Sequence, residues 1–293
     1  MRITLLTYGT RGDVQPFVAL GAGLKRAGHA VRIAAPGPYE SLVAAHGLDF
    51  AALAGDPAEL SRALVDRAGS NPLRIVQAVG EFAIPLGVQV LAQARDACRD
   101  ADAILHSFLM TIAGHEIARE RDVPDFSAQF FPIFSRTAAF PSLMFPRLAA
   151  SPAVNRWTHD LTNAVFWHGN RIAYQGVRRS HPELPSLHGW PFAARDRHPP
   201  VLLYGFSPHA VPPPPDWGEG IHVTGYWFLD EDYQPPADLL AFLDAGPPPV
   251  YVGFGSVVTR DAARLGRVAL DALALAGQRG VVVGGWGGLA DRD

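Results

Sequence analysis

A carboxylate, Asp13, closes a glycine-punctuated turn, Tyr8-Gly9-Thr10-Arg11-Gly12-Asp13, that follows the first apolar run of the sequence. Open α/β sheets bind ligands at the carboxyl ends of their strands, where such a turn lies. The turn lacks the G-x-G-x-x-G spacing of a dinucleotide site and the Lys-Ser/Thr of a phosphate-binding loop. Arg11-Gly12-Asp13 spells a cell-adhesion tripeptide, a match that short motifs make by accident. Histidine as a residue type is better matched to proton transfer at neutral pH, and His115, in Gly114-His115-Glu116, and His106, on the preceding apolar run, are the candidates. A free Asp, with a pKa of about 3.9, is a weaker base unless burial raises that value. Each has a plainer reading as well. Asp13 can cap a helix, His115 can sit on a helix surface, and His106 can be a buried strand residue bonded locally. The histidines show no metal-ligand spacing, and Glu116 and Glu120 read as solvated helix charges.

These residues need a frame. Ile3 to Thr7 reads as a strand, Pro16 as part of a first helical turn, and Phe17, Leu20, Leu24 and Ala27 as a helical stripe. Gly28 ends that helix, and Val31 to Ala35 is a second strand. Tyr39 to His46, Leu86 to Cys98 and Thr111 to Arg121 read as helices, and Ala103 to Ser107, Asp125 to Phe130 and Val201 to Gly205 as strands. Helical stretches also fall around Ala153 to Trp167 and Asn170 to Arg179. Strands alternating with helices predict an α/β fold with a parallel sheet and right-handed crossovers. Prolines from Pro208 to Pro249 suggest a stiff connector. After it, Val250 to Ser256, Ala262 to Leu275 and Gly280 to Gly284 read as a second strand–helix–strand unit. The expected division is 1–229, a linker at 230–248, and 249–293. So short a last part is marginal as a domain and leaves an open sheet edge, so the second domain is expected to be cut short.

Of the 293 residues, 48% are hydrophobic and 18% charged, as in a folded, core-rich protein. The net charge of −3 gives no reason to expect nucleic acid. Cys98 is the only cysteine, which rules out an internal disulfide and suits a reducing, cytoplasmic compartment. No signal peptide or run of about 20 apolar residues is present, so any membrane contact is expected to be peripheral.

Over longer stretches the residues resemble a known family. Gly9 to Phe17, Ala19-Leu20-Gly21 and Gly28-His29-x-Val31-Arg32-Ile33-Ala34 resemble the N-terminal domain of sterol glucosyltransferases and the related antibiotic glycosyltransferases of the GT-B fold. The resemblance returns at Phe206-Ser207-Pro208, Val223 to Phe228, Pro249 to Ser256 and Gly285 to Leu289, in family order. It implies a GT-B architecture: a Rossmann-like acceptor domain plus the first βαβ unit of a nucleotide-sugar domain. It also implies an inverting, metal-independent transfer of a hexose from a UDP-sugar to a lipophilic hydroxyl acceptor, with no cofactor beyond that co-substrate. Asp13 would be the base, with His115 the first candidate to share the task and His106 the second.

The turn Gly9, Thr10, Arg11 and Gly12 is assigned to the donor. So is Gly255-Ser256, placed by the resemblance beside the donor diphosphate, where a helix start favours anions. Trp286 is either near the nucleotide base or an ordinary apolar strand-end residue. His106, Phe130, Phe131, Phe134, Phe140 and Met144 are the expected acceptor-binding residues, since apolar pockets are lined by aromatic side chains, although each ring alone also reads as core. The His-rich, Gly-Gly-containing donor motif of the family would lie well beyond Trp286. A non-catalytic binding or helper protein is the rival reading. An NAD-linked oxidoreductase is disfavoured, because Ala34-Ala35-Pro36 supplies no acidic residue at the second strand's end.

Overall fold

The structure is a computed structural model, described here for residues 1–68, 84–148, 151–180, 186–192, 201–229 and 233–288. It divides into two compact units: Met1–Gly55 with Ala83–Leu229, and Asp56–Phe82 with Asp230–Asp293.

In the first unit, β1 (Arg2–Leu6), β2 (Ala30–Pro36), β3 (Asp49–Leu53), β4 (Ala103–His106), β5 (Asp125–Gln129), β6 (Val201–Tyr204) and β7 (Ile221–Val223) form one parallel sheet in the order β3-β2-β1-β4-β5-β6-β7. Parallel strands covered on both faces read as unbroken apolar runs, and Ile3 to Leu6 and Ala103 to His106 are buried throughout. The chain steps outward from β1 to β2 and β3, then returns to β4 on the other side of β1. That reversal opens a crevice at the carboxyl ends of β1 and β4.

Helix α1 (Arg11–Arg26) follows β1 and buries Val14, Phe17, Val18 and Gly21, an i, i+3, i+4, i+7 stripe. It begins earlier than the sequence suggested. Pro16 is the sixth helical residue, beyond the first turn, because Thr10 and Asp13 close a capping box ahead of it. The carbonyl of Gly12, which loses the bond Pro16 cannot donate, is on an exposed residue. Helices α2 (Glu40–Ala45), α4 (Ile84–Ala97) and α5 (Thr111–Arg121) complete the crossovers, with α3 (Pro57–Ala68) grouped in the second unit. The two stretches expected around residues 153–179 are one helix, α6 (Pro152–Ser180), running through Gly169, whose Cα faces open space. Cys98 is packed in the core, and burial pushes its thiol up to about 12, which leaves it inert as a nucleophile.

The second unit holds α3, α7 (Ala237–Asp244), β8 (Val250–Gly253), α8 (Ala262–Leu275) and β9 (Gly280–Val283). Helix α7 forms inside the stretch expected to be an extended connector. Strands β8 and β9 pair in parallel, Val250 against Gly280 through Gly253 against Val283. The Arg260 guanidinium donates to the Asp66 carbonyl on α3.

Candidate functional site

The turn after β1 is held by its own carboxylate. The Thr10 amide donates to Asp13 Oδ2 at 2.7 Å and the Thr10 hydroxyl donates to the same oxygen at 3.0 Å. The buried Thr7 hydroxyl donates to the Asp13 carbonyl at 2.8 Å, tying β1 to the first turn of α1. Gly9 is required here: its φ is +137°, and a Cβ would stand 2.3 Å from Asp13 Oδ2. Asp13 therefore does cap the helix, with one oxygen. Its Oδ1 has no hydrogen-bond partner among the described residues, and the side chain is only half-buried at the mouth of the crevice. Arg11 and Gly12 are exposed in the same turn, with Arg11 Nε donating to Gln15 at 2.7 Å.

Across the crevice, Ser107 follows β4 and donates its amide to the Leu6 carbonyl at 2.9 Å. Its hydroxyl is buried and has no partner among the described residues. A buried hydroxyl with no partner is costly, which marks Ser107 as a place where a ligand atom would be welcome.

The two histidines lie elsewhere. Nε2 of His106 is 2.8 Å from Asp125 Oδ2, and Nδ1 of His115 is 3.1 Å from the same oxygen. All three residues are buried in the layer between α5 and the sheet. The structure gathers both histidines, expected to share the base role (His115) and to bind acceptor (His106), on Asp125 in a buried clamp. The clamp joins α5 to β4 and β5. Burial tends to raise the Asp125 carboxyl, but the hydrogen bonds from His106 and His115 outweigh it and hold the group down at about 2. Gly114 lets α5 approach: a Cβ there would sit 2.6 Å from the Cβ of His106 and 2.7 Å from its ring. Gly114→Ala is expected to lower stability by about 1–3 kcal/mol through overpacking. Denaturant unfolding of the variant checks this, and an unchanged midpoint would refute it.

The aromatic residues divide among three places. Phe108, Phe131, Phe134, Phe166, Trp190 and Phe192 form one cluster, with centroids 4.9–5.5 Å apart for Phe134–Phe166, Phe108–Phe134 and Phe134–Trp190. Phe108 follows Ser107 directly, so this cluster borders the crevice. Phe130 does not belong to it. That ring packs edge-on against Phe17 and Trp227 in the core beneath α1, at 5.9 and 5.7 Å. Phe140 contacts His159 and Trp217 instead, and Met144 is 59% exposed. Of the expected acceptor residues, the structure brings Phe131 and Phe134 together and separates the rest.

In the second unit, Gly255, Ser256 and Trp286 meet at the carboxyl ends of β8 and β9. The Trp286 amide donates to the Gly255 carbonyl at 3.0 Å. Gly285, with φ of +57°, leaves room for that contact, since a Cβ would lie 2.2 Å from the Gly255 oxygen. Among the described residues, no group of three or more His, Cys, Asp or Glu side chains is arranged to hold a metal ion.

Residues 3–139 match the glycosyltransferase family 28 N-terminal domain. That match takes in 137 of the 293 residues. It is 38% identical over 295 residues to a sterol 3-beta-glucosyltransferase of Leptosphaeria maculans, covering 98% of this chain and 20% of that protein. A sterol 3-beta-glucosyltransferase of Pichia angusta is 37% identical, over 97% of this chain and 23% of that protein. This chain thus spans about a fifth of the length of the curated relatives it matches. A calicheamicin glycosyltransferase structure superposes with a TM-score of 0.54 at 17% identity, covering 96% of this chain and 64% of that one. The fold is that of GT-B glycosyltransferases.

Within residues 3–139, three features were not legible from the sequence alone: Ser107, Phe108 and the Asp125 that joins both histidines. A polar residue in an apolar strand is a usable signal for His106 and Asp125, but only the parallel pairing of β4 with β5 brings positions 106 and 125 together. Ser107 carries the same kind of signal, a hydroxyl closing an apolar strand at the sheet's switch point.

Proposed function

We propose that the protein is an inverting glycosyltransferase that moves a hexose, glucose, from a UDP-sugar to the hydroxyl of a lipophilic acceptor such as a sterol. The observation that carries this reading is the Asp13 carboxylate. One oxygen is locked to Thr10 while the other is left open at the switch point of a family 28 domain. A base must lie within hydrogen-bond reach of the proton it takes. Oδ1 would accept the acceptor hydroxyl proton as its oxygen attacks the anomeric carbon, while the bond to the diphosphate breaks on the opposite face and UDP leaves. Fixing the carboxylate beforehand removes the cost of orienting it during the reaction. The Ser107 hydroxyl would hold the acceptor, and the rings of Phe108, Phe131 and Phe134 would give its apolar body a surface.

The turn at Gly255-Ser256 would supply amides to the donor diphosphate, with Trp286 beside the nucleotide base. No metal or organic cofactor is needed in this scheme. The match of nearly the whole chain to transferases favours catalysis over the rival reading of a non-catalytic binding protein. No described helix is long and apolar enough to cross a membrane, and the lone reduced Cys98 suits a cytoplasmic enzyme meeting its acceptor at a membrane surface.

The test is transfer itself. Protein purified from its source is incubated with UDP-glucose and a sterol, and the lipid extract is analysed by mass spectrometry. The expected product is the sterol plus one hexosyl group, formed equally well with a chelator present. UDP-glucose left intact in the presence of sterols and other lipophilic alcohols would contradict the proposal.

A further inference from the structure

Glu116, whose place in the sequence suggests a solvated helix charge, is instead only 4% exposed. It lies on α5 beside His115, so the helix that Asp125 ties to the sheet also carries this second buried carboxylate. A buried charge is costly unless hydrogen bonds replace the water it loses. Glu116 finds them far away in sequence. Its Oε1 accepts from the His188 amide at 3.0 Å, and its Oε2 is 2.9 Å from Nδ1 of the same residue. Both oxygens thus hold one residue.

His188 belongs to residues 186–192, which form neither helix nor strand. With no backbone ladder to fix it, such a segment depends on other contacts for its place. Trp190 follows two residues later, no more than about 7 Å along the chain. Its ring packs edge-on against Phe134 at 5.1 Å and Phe192 at 5.3 Å, and it meets Phe166 at 6.2 Å. Phe192 in turn stands 5.3 Å from Phe134. Phe134 stacks at 5.5 Å on Phe108, the residue after Ser107. Trp190 and Phe192 are both half-buried, so each keeps some exposed area. A path of direct contacts therefore runs from Glu116 through His188 and Trp190 to the ring cluster at the crevice.

From this path we infer that Glu116 and His188 are positioning residues for the acceptor. They hold residues 186–192 where Trp190 and Phe192 extend the wall begun by Phe108 and Phe134. The inference rests on the transfer reading in taking the crevice as the acceptor site, and it concerns how a large polycyclic alcohol is held there. Neither residue touches the reacting atoms. A wall already in place spares the acceptor the cost of ordering it on binding. Loss of the anchor should therefore weaken the hold on the acceptor and leave the chemical step alone.

The test is steady-state kinetics of the active enzyme with cholesterol and UDP-glucose varied in turn. Glu116→Ala removes both anchoring bonds and should raise KM for cholesterol about tenfold, the net worth of a hydrogen bond to a charged group. Turnover and KM for UDP-glucose should stay within about twofold. Glu116→Gln keeps an oxygen for the His188 amide and an N–H for Nδ1, so its KM should return to within about threefold of the parent. The His188 side chain is 44% exposed, so His188→Ala gives an answer even if Glu116→Ala does not fold. It loses the imidazole bond alone and should raise KM for cholesterol about fivefold. An unchanged KM for cholesterol, or a loss spread equally over kcat and both KM values, would overturn the inference. Equilibrium binding of the fluorescent sterol dehydroergosterol to the purified chain separates the two readings, since the same variants should weaken it by similar factors. A parent chain that binds this sterol and transfers no glucose would contradict the transfer reading alone. No sterol binding by the parent, or equal binding by parent and variants, would contradict the inference alone.

Discussion

Asp13→Asn is expected to lower the turnover of the active enzyme by at least about 100-fold, the lower range for removal of a general base, while leaving the fold in place. The amide keeps the size of the side chain and an oxygen to accept from the Thr10 amide and hydroxyl, which now bond at 2.7 and 3.0 Å. The cost to α1 should therefore stay within about 1 kcal/mol, the usual worth of a cap. What the variant loses is the ability to take a proton at Oδ1. Asp13→Ala separates the two roles: it removes base and cap together, so it should lose comparable turnover and also about 1 kcal/mol of stability. The check is steady-state kinetics at saturating UDP-sugar, alongside a denaturant melt. Turnover of Asp13→Asn within a few-fold of the parent would mean that Asp13 only caps the helix.

The largest effect on stability is expected at Asp125. This carboxylate is buried and accepts from His106 at 2.8 Å and from His115 at 3.1 Å. Asp125→Ala leaves two buried imidazoles without their common acceptor, and breaking such a pair costs about 3–5 kcal/mol. The same group gives a pH signature. Its folded-state pKa is about 2 against an ordinary 3.8. A depressed carboxyl adds stability that is fully present above the unfolded value and is lost as pH falls through the folded one. The window therefore runs from about pH 4 down to about pH 2, and the contribution is on the order of 2 kcal/mol. Asp125→Asn should flatten the acid limb of the stability profile in that window. Unfolding free energies measured from neutral pH to pH 2 test both statements. A loss below about 1 kcal/mol for Asp125→Ala would show that the clamp is dispensable.

The parallel sheet was legible because its strands are buried on both faces and so read as continuous apolar runs, bounded by turns such as Gly28 and Pro36-Gly37. Strand β3 was not, since Asp49-Phe50-Ala51-Ala52-Leu53 shows neither a β-branched run nor clear alternation. Helix α7 hid between proline pairs that read as extended chain. The turn of Gly9 to Asp13 could be located because glycine and Asp are demanded there by geometry. The histidines could not be placed, because sequence spacing does not say which side of α5 turns inward or that Asp125 awaits there. Phe130 and Phe131 show the same limit. Neighbouring strand-end residues point to opposite faces, so one ring packs under α1 and the next joins the cluster beside the crevice.

The most direct test of the account is a crystal structure of the protein with a sterol and UDP bound. It predicts the sterol's reacting hydroxyl within about 3.2 Å of Asp13 Oδ1, with the ring system against Phe108, Phe131 and Phe134 and the Ser107 hydroxyl engaged. A sterol bound away from the ends of β1 and β4, with Asp13 touching only Thr10, would contradict it.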